Sequence, residues 1–364
     1  MSTVYINGRF ATQPFSGVQR YAHEIVAQLD AVAPQVDPTV RYVLLTPQGT
    51  ASLGLQAISQ VACGKLHGHA WDQVSFAAAA RHGVALSLSS TGPVVHRRQI
   101  VVIHDAAVQR HPGHFSRAYR TAHAVLDLLL ARTANLATVS EFSRRELSEL
   151  LQVPARSILV APNGWQHMQV QPDADVTTRL GLDGKPYFLA LGNLTPNKNL
   201  SVTLRALARL EEGASRLVAV GRIDRSVFGT AAMPEPGPDL LLPGRLSDAE
   251  VAGLMRSAKA LIFPSIYEGF GIPPIEAFVN GCPVLASTAE AVVEVCQDAA
   301  EYFDPHDDAR LAQLMQMVLA DDGRWRAAKL ARAQERLTHY SWRRSAEILA
   351  EACARLARGE PAAG

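Results

Sequence analysis

Short apolar runs recur along the chain, each separated from the next by stretches with helical spacing or polar character. Val4 to Ile6, Tyr42 to Leu45, Ile100 to Ile103 and Leu136 to Val139 lie in the first half; Tyr187 to Leu191, Leu217 to Val220, Ala260 to Phe263 and Pro283 to Ala286 lie in the second. Runs this short and this apolar read as strands buried on both faces, the habit of parallel sheets covered by helices. The alternation predicts an α/β architecture, whose ligands sit beyond the carboxyl ends of the strands. A polar stretch, WQHMQVQPDADVTTRLGLDGKP at 165–186, breaks the pattern and reads as a linker. With the cut near 168, the expected organisation is an N-terminal domain 1–168, a C-terminal domain 169–340, and a terminal segment 341–364 that packs back on the first. In that segment Ala346, Leu349, Ala350, Cys353, Leu356 and Ala357 repeat at helical spacing.

At 364 residues the chain exceeds what one hydrophobic core usually serves, which agrees with two domains. Hydrophobic residues at 48% and charged residues at 19% describe an ordinary globular protein. No run approaches the roughly 18 apolar residues of a membrane span. The start, MSTVYINGRF, lacks a basic segment followed by an apolar one, so no export signal is expected. Cys63, Cys282, Cys296 and Cys353 are too scattered for a CxxC site, and a reducing cytoplasmic setting is expected.

The net charge of +1 conceals an asymmetry. Residues 1–168 carry 14 Lys and Arg against 9 Asp and Glu, and the remainder carries 21 against 25. One reading is plain surface variation; the other is an N-terminal domain that faces an anionic acceptor or the inner face of a membrane. The segment RHPGHFSRAYRTAHAVLDLLLARTA, 110–134, leaves the same choice between a core helix with a solvated start and a membrane-touching patch. Nucleic-acid binding has no support, because no basic stripe with interleaved aromatics occurs.

The stretch SIYEGFGIPPIEAFVNGCPVLAS, 265–287, concentrates the chemistry. A strand ends, a Gly-Phe-Gly turn comes next, and a helix begins with proline in its first turn and stops at Gly281. Gly269 and Gly271 let the backbone approach a ligand, and the freed amides with the helix dipole favour an anion. Glu268 and Glu276 then reach into one site from one wall. A glycosidase needs its two carboxyls opposed across about 5 to 9.5 Å of substrate, so hydroxyl binding suits this arrangement better. Taken alone, a solvated Glu268 and a Glu276 that merely stabilises its helix start remain an alternative.

This stretch resembles the E-x7-E signature of retaining glycosyltransferases of GT-B architecture, the large family 4 also called glycosyl transferases group 1. The resemblance extends in order through GVQRYAHEI, VVIHDAAV, ATVSEFSRREL, VAPNGW, LALGNLTPNKNL, AVGR and PGRLSDAEVAGLMRSAKALIFPS. It implies two Rossmann-like doubly wound parallel-sheet domains facing a central cleft. By the same resemblance, Glu276 binds the ribose of a sugar nucleotide and Glu268 lies by the donor sugar. Phe270, Gly271 and Ile272 offer amides to the sugar and diphosphate, and Lys198 pairs with the diphosphate. Asn193 stands where many members carry an arginine, which leaves Arg222 as a second candidate cation. Arg245 and Leu246 would lie by the base. From the N-terminal domain, His104 would meet the donor sugar or attacking hydroxyl, Asp105 would orient it or bind acceptor, and Gly17 would approach the diphosphate. Ser140, Glu141, Asn163 and Gly164 line the cleft in such enzymes.

The activity implied is transfer of a hexose, with mannose from GDP-mannose the best match, to a cell-surface polysaccharide such as lipopolysaccharide or to a polyprenyl-diphosphate-linked glycan. The mannose expectation rests on the similarity of INGRFATQPFSGVQRYAHEI to bacterial mannosyl- and rhamnosyltransferases. Catalysis would rest on His104, Asp105, Lys198 and Glu268. No cofactor beyond the nucleotide-sugar co-substrate is implied, and no metal: the Asp-x-Asp at 173–175 comes after no strand and reads as solvated loop. Two other readings stay open, a sugar-nucleotide epimerase on the same fold and a non-catalytic nucleotide-sugar-binding scaffold subunit.

Overall fold

The computed structural model describes residues 2–111, 113, 116–192, 195–221 and 237–362. Asn193 and Arg222, two of the expected diphosphate-site residues, lie outside the described residues. The chain divides into two compact units, Met1–Gly164 together with Ser341–Gly364, and Trp165–Tyr340.

The first unit is built on a sheet of seven parallel strands among the described residues: β1 (Ser2–Asn7), β2 (Val40–Thr46), β3 (Ser59–Ala62), β4 (Val84–Ser87), β5 (Gln99–Val102), β6 (Asn135–Thr138) and β7 (Leu159–Val160). Their spatial order is β3-β2-β1-β4-β5-β6-β7, so the order reverses between β1 and β4. The second unit has six parallel strands among the described residues: β8 (Tyr187–Leu191), β9 (Arg216–Val220), β10 (Leu240–Gly244), β11 (Leu261–Phe263), β12 (Val284–Ser287) and β13 (Ala300–Phe303). Here the order is β10-β9-β8-β11-β12-β13, with the reversal between β8 and β11. Both sheets are doubly wound and parallel, the GT-B arrangement.

The apolar runs of the sequence fall on strands because those strands are buried. Val4, Ile6, Ile100, Val102, Leu189, Leu261 and Leu285 are all inaccessible to solvent. Five of the described strands carry no such run. β3 is an edge strand, SQVA, largely exposed, so nothing forces it to be apolar. β4, VALS, is buried but brief, β7 has only 2 residues, and β10, at an edge of the second sheet, ends in Pro-Gly. β13, AEYF, buries only its two ends, with Glu301 and Tyr302 between them partly buried.

Helix Gly17–Val36 lays Tyr21, Ile25 and Leu29 into the core of the first unit. The terminal helix Trp342–Ala357 packs along it, burying Trp342, Ala346, Leu349 and Cys353. Tyr21 and Trp342 meet edge to face at 5.8 Å. No helix among the described residues is long and apolar enough to cross a membrane.

The stretch 165–186 is not a free linker. The division falls between Gly164 and Trp165, and residues 165–186 pack into the second unit. Met168, Val176 and Leu182 are buried, and the amide of Asp173 donates to the carbonyl of Ala249 at 2.9 Å. The polar sequence hides this, because three buried apolar side chains are too few to set a hydrophobic period. The contact is close enough to require glycine on the facing helix, Asp248–Ser257. A Cβ on Gly253 would stand 2.2 Å from the Asp173 carbonyl oxygen and 2.8 Å from a Val176 methyl. Gly253→Ala is therefore expected to destabilise the chain by about 1–3 kcal/mol through overpacking, read as a lower urea midpoint at unchanged slope. An unchanged midpoint would show that 165–186 is only loosely attached.

Candidate functional site

Each sheet places a set of polar side chains at its own point of reversal, where loops diverge from the carboxyl ends of adjacent strands. In the second unit these are the loops after β8 and β11, which pair at Leu189 and Leu261. The two loops are stitched together: the amide of Ile266 donates to the Asn197 carbonyl at 2.8 Å. Asn199, in the left-handed region at φ 52°, gives its Nδ2 to the carbonyls of Pro264 at 3.2 Å and Pro305 at 2.6 Å.

This stitching brings Lys198 and Glu268 into contact. Lys198 Nζ donates to Glu268 Oε1 as an ion pair, with the two side chains 23% and 14% exposed. The lysine stem runs over Gly192, where a Cβ would lie 3.5 Å from Cε, and its ammonium stands 5.3 Å from the centre of the Phe263 ring. Gly192 has φ 127°, a conformation closed to most other residues.

Helix Ile272–Val279 begins beside this pair, with Gly271 as its N-cap at φ 94° and prolines in its first turn. Gly271 packs under Phe263, whose ring would be 3.2 Å from an added Cβ. Phe270 turns its side chain inward, edge-on to Tyr340 at 5.1 Å, so it can offer an external ligand only its backbone. Because Pro273 and Pro274 have no N–H, and the Ile275 amide is directed at the carbonyl of the N-cap, the amides available at this helix start are those of Gly271 and Ile272. Glu276 is the fifth residue of the helix and so opens its second turn. Its Oε1 lies 2.8 Å from Nε2 of His167.

Arg245 and Leu246 come directly after β10 at the edge of this sheet and precede the helix Asp248–Ser257. Ser247 and Glu250 close that helix start as a reciprocal capping box. Asp173 of the Asp-x-Asp accepts from Arg179 at 2.8 Å and from the Asp175 amide at 2.9 Å.

In the first unit, His104 stands just past the end of β5 and is 7% exposed. Its Nε2 is 2.9 Å from the carbonyl of Leu88, at the end of β4, and the Tyr21 ring stands edge-on at 4.8 Å. A carbonyl only accepts, so Nε2 carries the hydrogen and Nδ1 is the acceptor face of the ring. Burial pulls the imidazole down to about 4, against the opposing effect of the Leu88 carbonyl. The ring is neutral at pH 7 and is oriented by Leu88 and Tyr21. The next residue, Asp105, accepts through Oδ1 from the Ala107 amide at 2.8 Å. Gly17 is the first residue of its helix, and Ser140 caps the helix Glu141–Leu151 through the Ser143 amide at 3.0 Å. Glu141 pairs with Arg144 one turn on, and Asn163 and Gly164 end the first of the two stretches that make up this unit.

Two features escape a reading of the sequence. One is the His167 contact with Glu276, which joins residues 109 apart. The other is a buried ion pair at the β1/β4 reversal, Arg9 Nε to Asp72 Oδ2 at 2.8 Å. The Arg9 Nε–H does not aim along that contact, so the attraction is ionic rather than a hydrogen bond. Asn7 and Thr91 complete the cluster, at 3.0 Å from Asp72 Oδ1 and 2.8 Å from Arg9 Nη2 respectively. Position alone could have signalled it, since Asn-Gly-Arg closes the first strand.

Residues 178–336 match the family described as Glycosyl transferases group 1. The chain is similar to O-antigen chain mannosyltransferase B of Escherichia coli, 27% identical over 257 residues that cover 67% of this chain and 67% of that protein. It is similar also to the serotype-specific mannosyltransferase WbdA of Escherichia coli, 23% identical over 97% of this chain, while spanning only 45% of that protein. Its fold matches that of Anabaena Alr3699/HepE, solved in complex with UDP-glucose, with a TM-score of 0.71 at 16% identity over 97% of this chain and 100% of that one.

His104 sets a pH dependence. Unfolded, its imidazole binds a proton near the ordinary value of 6.5; folded, only near 4, so between those values the unfolded chain holds the extra proton. The stability it contributes is present above about 6.5 and is lost as the pH falls towards 4. Guanidinium unfolding at pH 7 and pH 5 is expected to show a loss of roughly 2 kcal/mol from this group, absent in His104→Asn. Equal pH slopes in the two proteins would refute it.

Proposed function

We propose that this chain, a GT-B glycosyl transferase of group 1, moves a hexose from a nucleoside-diphosphate sugar to a growing glycan with retention of anomeric configuration. The observation that carries the reading is the meeting of Lys198, Glu268 and the amides of the Ile272 helix start at the β8/β11 reversal. An ammonium and a helix start together attract a diphosphate, and the adjoining carboxylates accept from sugar hydroxyls. The lysine and glutamate satisfy each other across the gap between the two loops. A bound diphosphate takes over Lys198, which releases Glu268 to the donor sugar.

In the step we envisage, the acceptor oxygen bonds to the anomeric carbon on the face from which the diphosphate leaves. The bond from that carbon to the phosphate oxygen breaks, its electron pair goes to the phosphate, and the departing oxygen takes the hydroxyl proton. The chain's part is positioning and stabilisation of the charge on the leaving group, by Lys198 and the amides of Gly271 and Ile272. Neutral His104 with Nδ1 as acceptor suits an oriented hydroxyl rather than an anion. Similarity to relatives named as O-antigen mannosyltransferases supports mannose, and hence GDP-mannose, as donor and a surface polysaccharide or lipid-linked glycan as acceptor. The UDP-glucose complex of a protein with the same fold supports a nucleotide sugar as the ligand class. The excess of basic residues in 1–168 suits work at the inner face of a membrane.

Calorimetry with GDP, UDP and ADP is expected to show selective binding of GDP, and transfer assays with a panel of nucleotide sugars to show mannose transferred. Lys198→Ala is expected to lower kcat/KM by about 10²- to 10³-fold, the usual cost of removing one group that stabilises transition-state charge. Failure of any nucleoside diphosphate to bind, or a Lys198→Ala protein as active as the parent, would overturn the reading.

A further inference from the structure

Glu276 is held by a residue from a distant part of the chain. The His167 side chain is 2% exposed and that of Glu276 12%, with Nε2 and Oε1 2.8 Å apart. An ionised carboxylate only accepts, so Nε2 donates. His167 lies in the single turn Gln166–Met168, and the two residues before it are fastened to the far end of the same unit. Trp165 Nε1 donates to the Leu337 carbonyl at 2.9 Å, and Gln166 Nε2 to the Tyr340 carbonyl at 3.3 Å. Met168 is buried. The imidazole is thus delivered from a braced turn. On the helix side, Asn280 Nδ2 donates to the Glu276 carbonyl at 2.9 Å, so the backbone carrying the carboxylate is braced as well.

We infer that His167 is a positioning residue for Glu276: by donating to Oε1 it fixes the carboxylate's rotamer and leaves Oε2 to accept from the ligand's ribose hydroxyls. The inference rests on the proposed function, in which Glu276 grips the ribose. A free glutamate side chain gives up considerable rotamer freedom when it binds, and one already held by a buried donor gives up less, which raises affinity without adding a contact to the ligand. The effect falls on binding rather than on the chemical step, so losing the histidine raises KM for the donor and leaves kcat nearly unchanged.

The test is calorimetry of the full chain with GDP and with 2′,3′-dideoxy-GDP, and with UDP and its dideoxy form as a second pair. The parent is expected to favour the ribose form, and Glu276→Ala to lose that preference. His167→Phe keeps a ring and removes the donor; it is expected to bind the ribose form roughly ten-fold more weakly, with the dideoxy form unaffected. His167→Gln, which restores a donor, should recover part of the preference. His167→Asn is too short to reach and should behave as His167→Phe, which keeps the test intact if the aromatic variant does not fold. Equal weakening towards both ligands, or an undiminished preference in His167→Phe and His167→Asn, would overturn the inference. A Glu276→Ala protein that still prefers the ribose form would overturn the ribose reading itself, a result distinct from failure at His167.

Discussion

The pairing of β8 with β11 is the constraint on which the second unit's site depends. Strands laid down first and fourth in that sheet become neighbours because the chain builds outward on one side, through β9 and β10, and then crosses to the other. Two loops that leave adjacent strands in opposite directions must diverge, and their backbones open a gap between them. Lys198 comes from one loop and Glu268 from the other. Neither would find the other without the parallel pairing of these two strands.

The charges of the site are matched within the protein itself. A half-buried ammonium beside a half-buried carboxylate avoids the cost of desolvating either alone, and the Phe263 ring beneath adds a favourable face for the cation. The same ring packs against Gly271, so the residue that supports the lysine also sets the start of the Ile272 helix. Cation and freed helix-start amides are therefore packed about one side chain, Phe263. This is the preorganisation that the proposed transfer requires, since its catalytic demand is a fixed charge opposite a departing phosphate rather than a reactive side chain.

The first unit solves a related problem differently. Its reversal point is filled by a buried cluster of Arg9, Asp72, Asn7 and Thr91, while the polar end of the neighbouring strand presents a neutral histidine. His104 is kept uncharged by burial and has its hydrogen fixed on Nε2 by a backbone carbonyl. A ring so held is a directional acceptor. It also makes the unit sensitive to acid, because the buried imidazole takes a proton less readily than the same ring in the unfolded chain.

The chain's own pattern determined the class of fold and the neighbourhood of the chemistry. Fully buried parallel strands must be apolar nearly along their length, so β5, β11 and β12 declare themselves, and glycines and prolines around 269–274 mark where backbone amides are freed. Exposed or very short strands such as β3 and β7 carry no such obligation and leave no trace. The stretch 165–186 looks like a linker for the same reason: its fully buried apolar side chains are only three, Met168, Val176 and Leu182, and its other anchors are polar. Only the folded structure decided that Lys198 meets Glu268, that Glu276 opens a second turn, and that His167 holds it from 109 residues away. Those relations depend on strand order and loop closure, which bring together residues whose spacing along the chain obeys no local period.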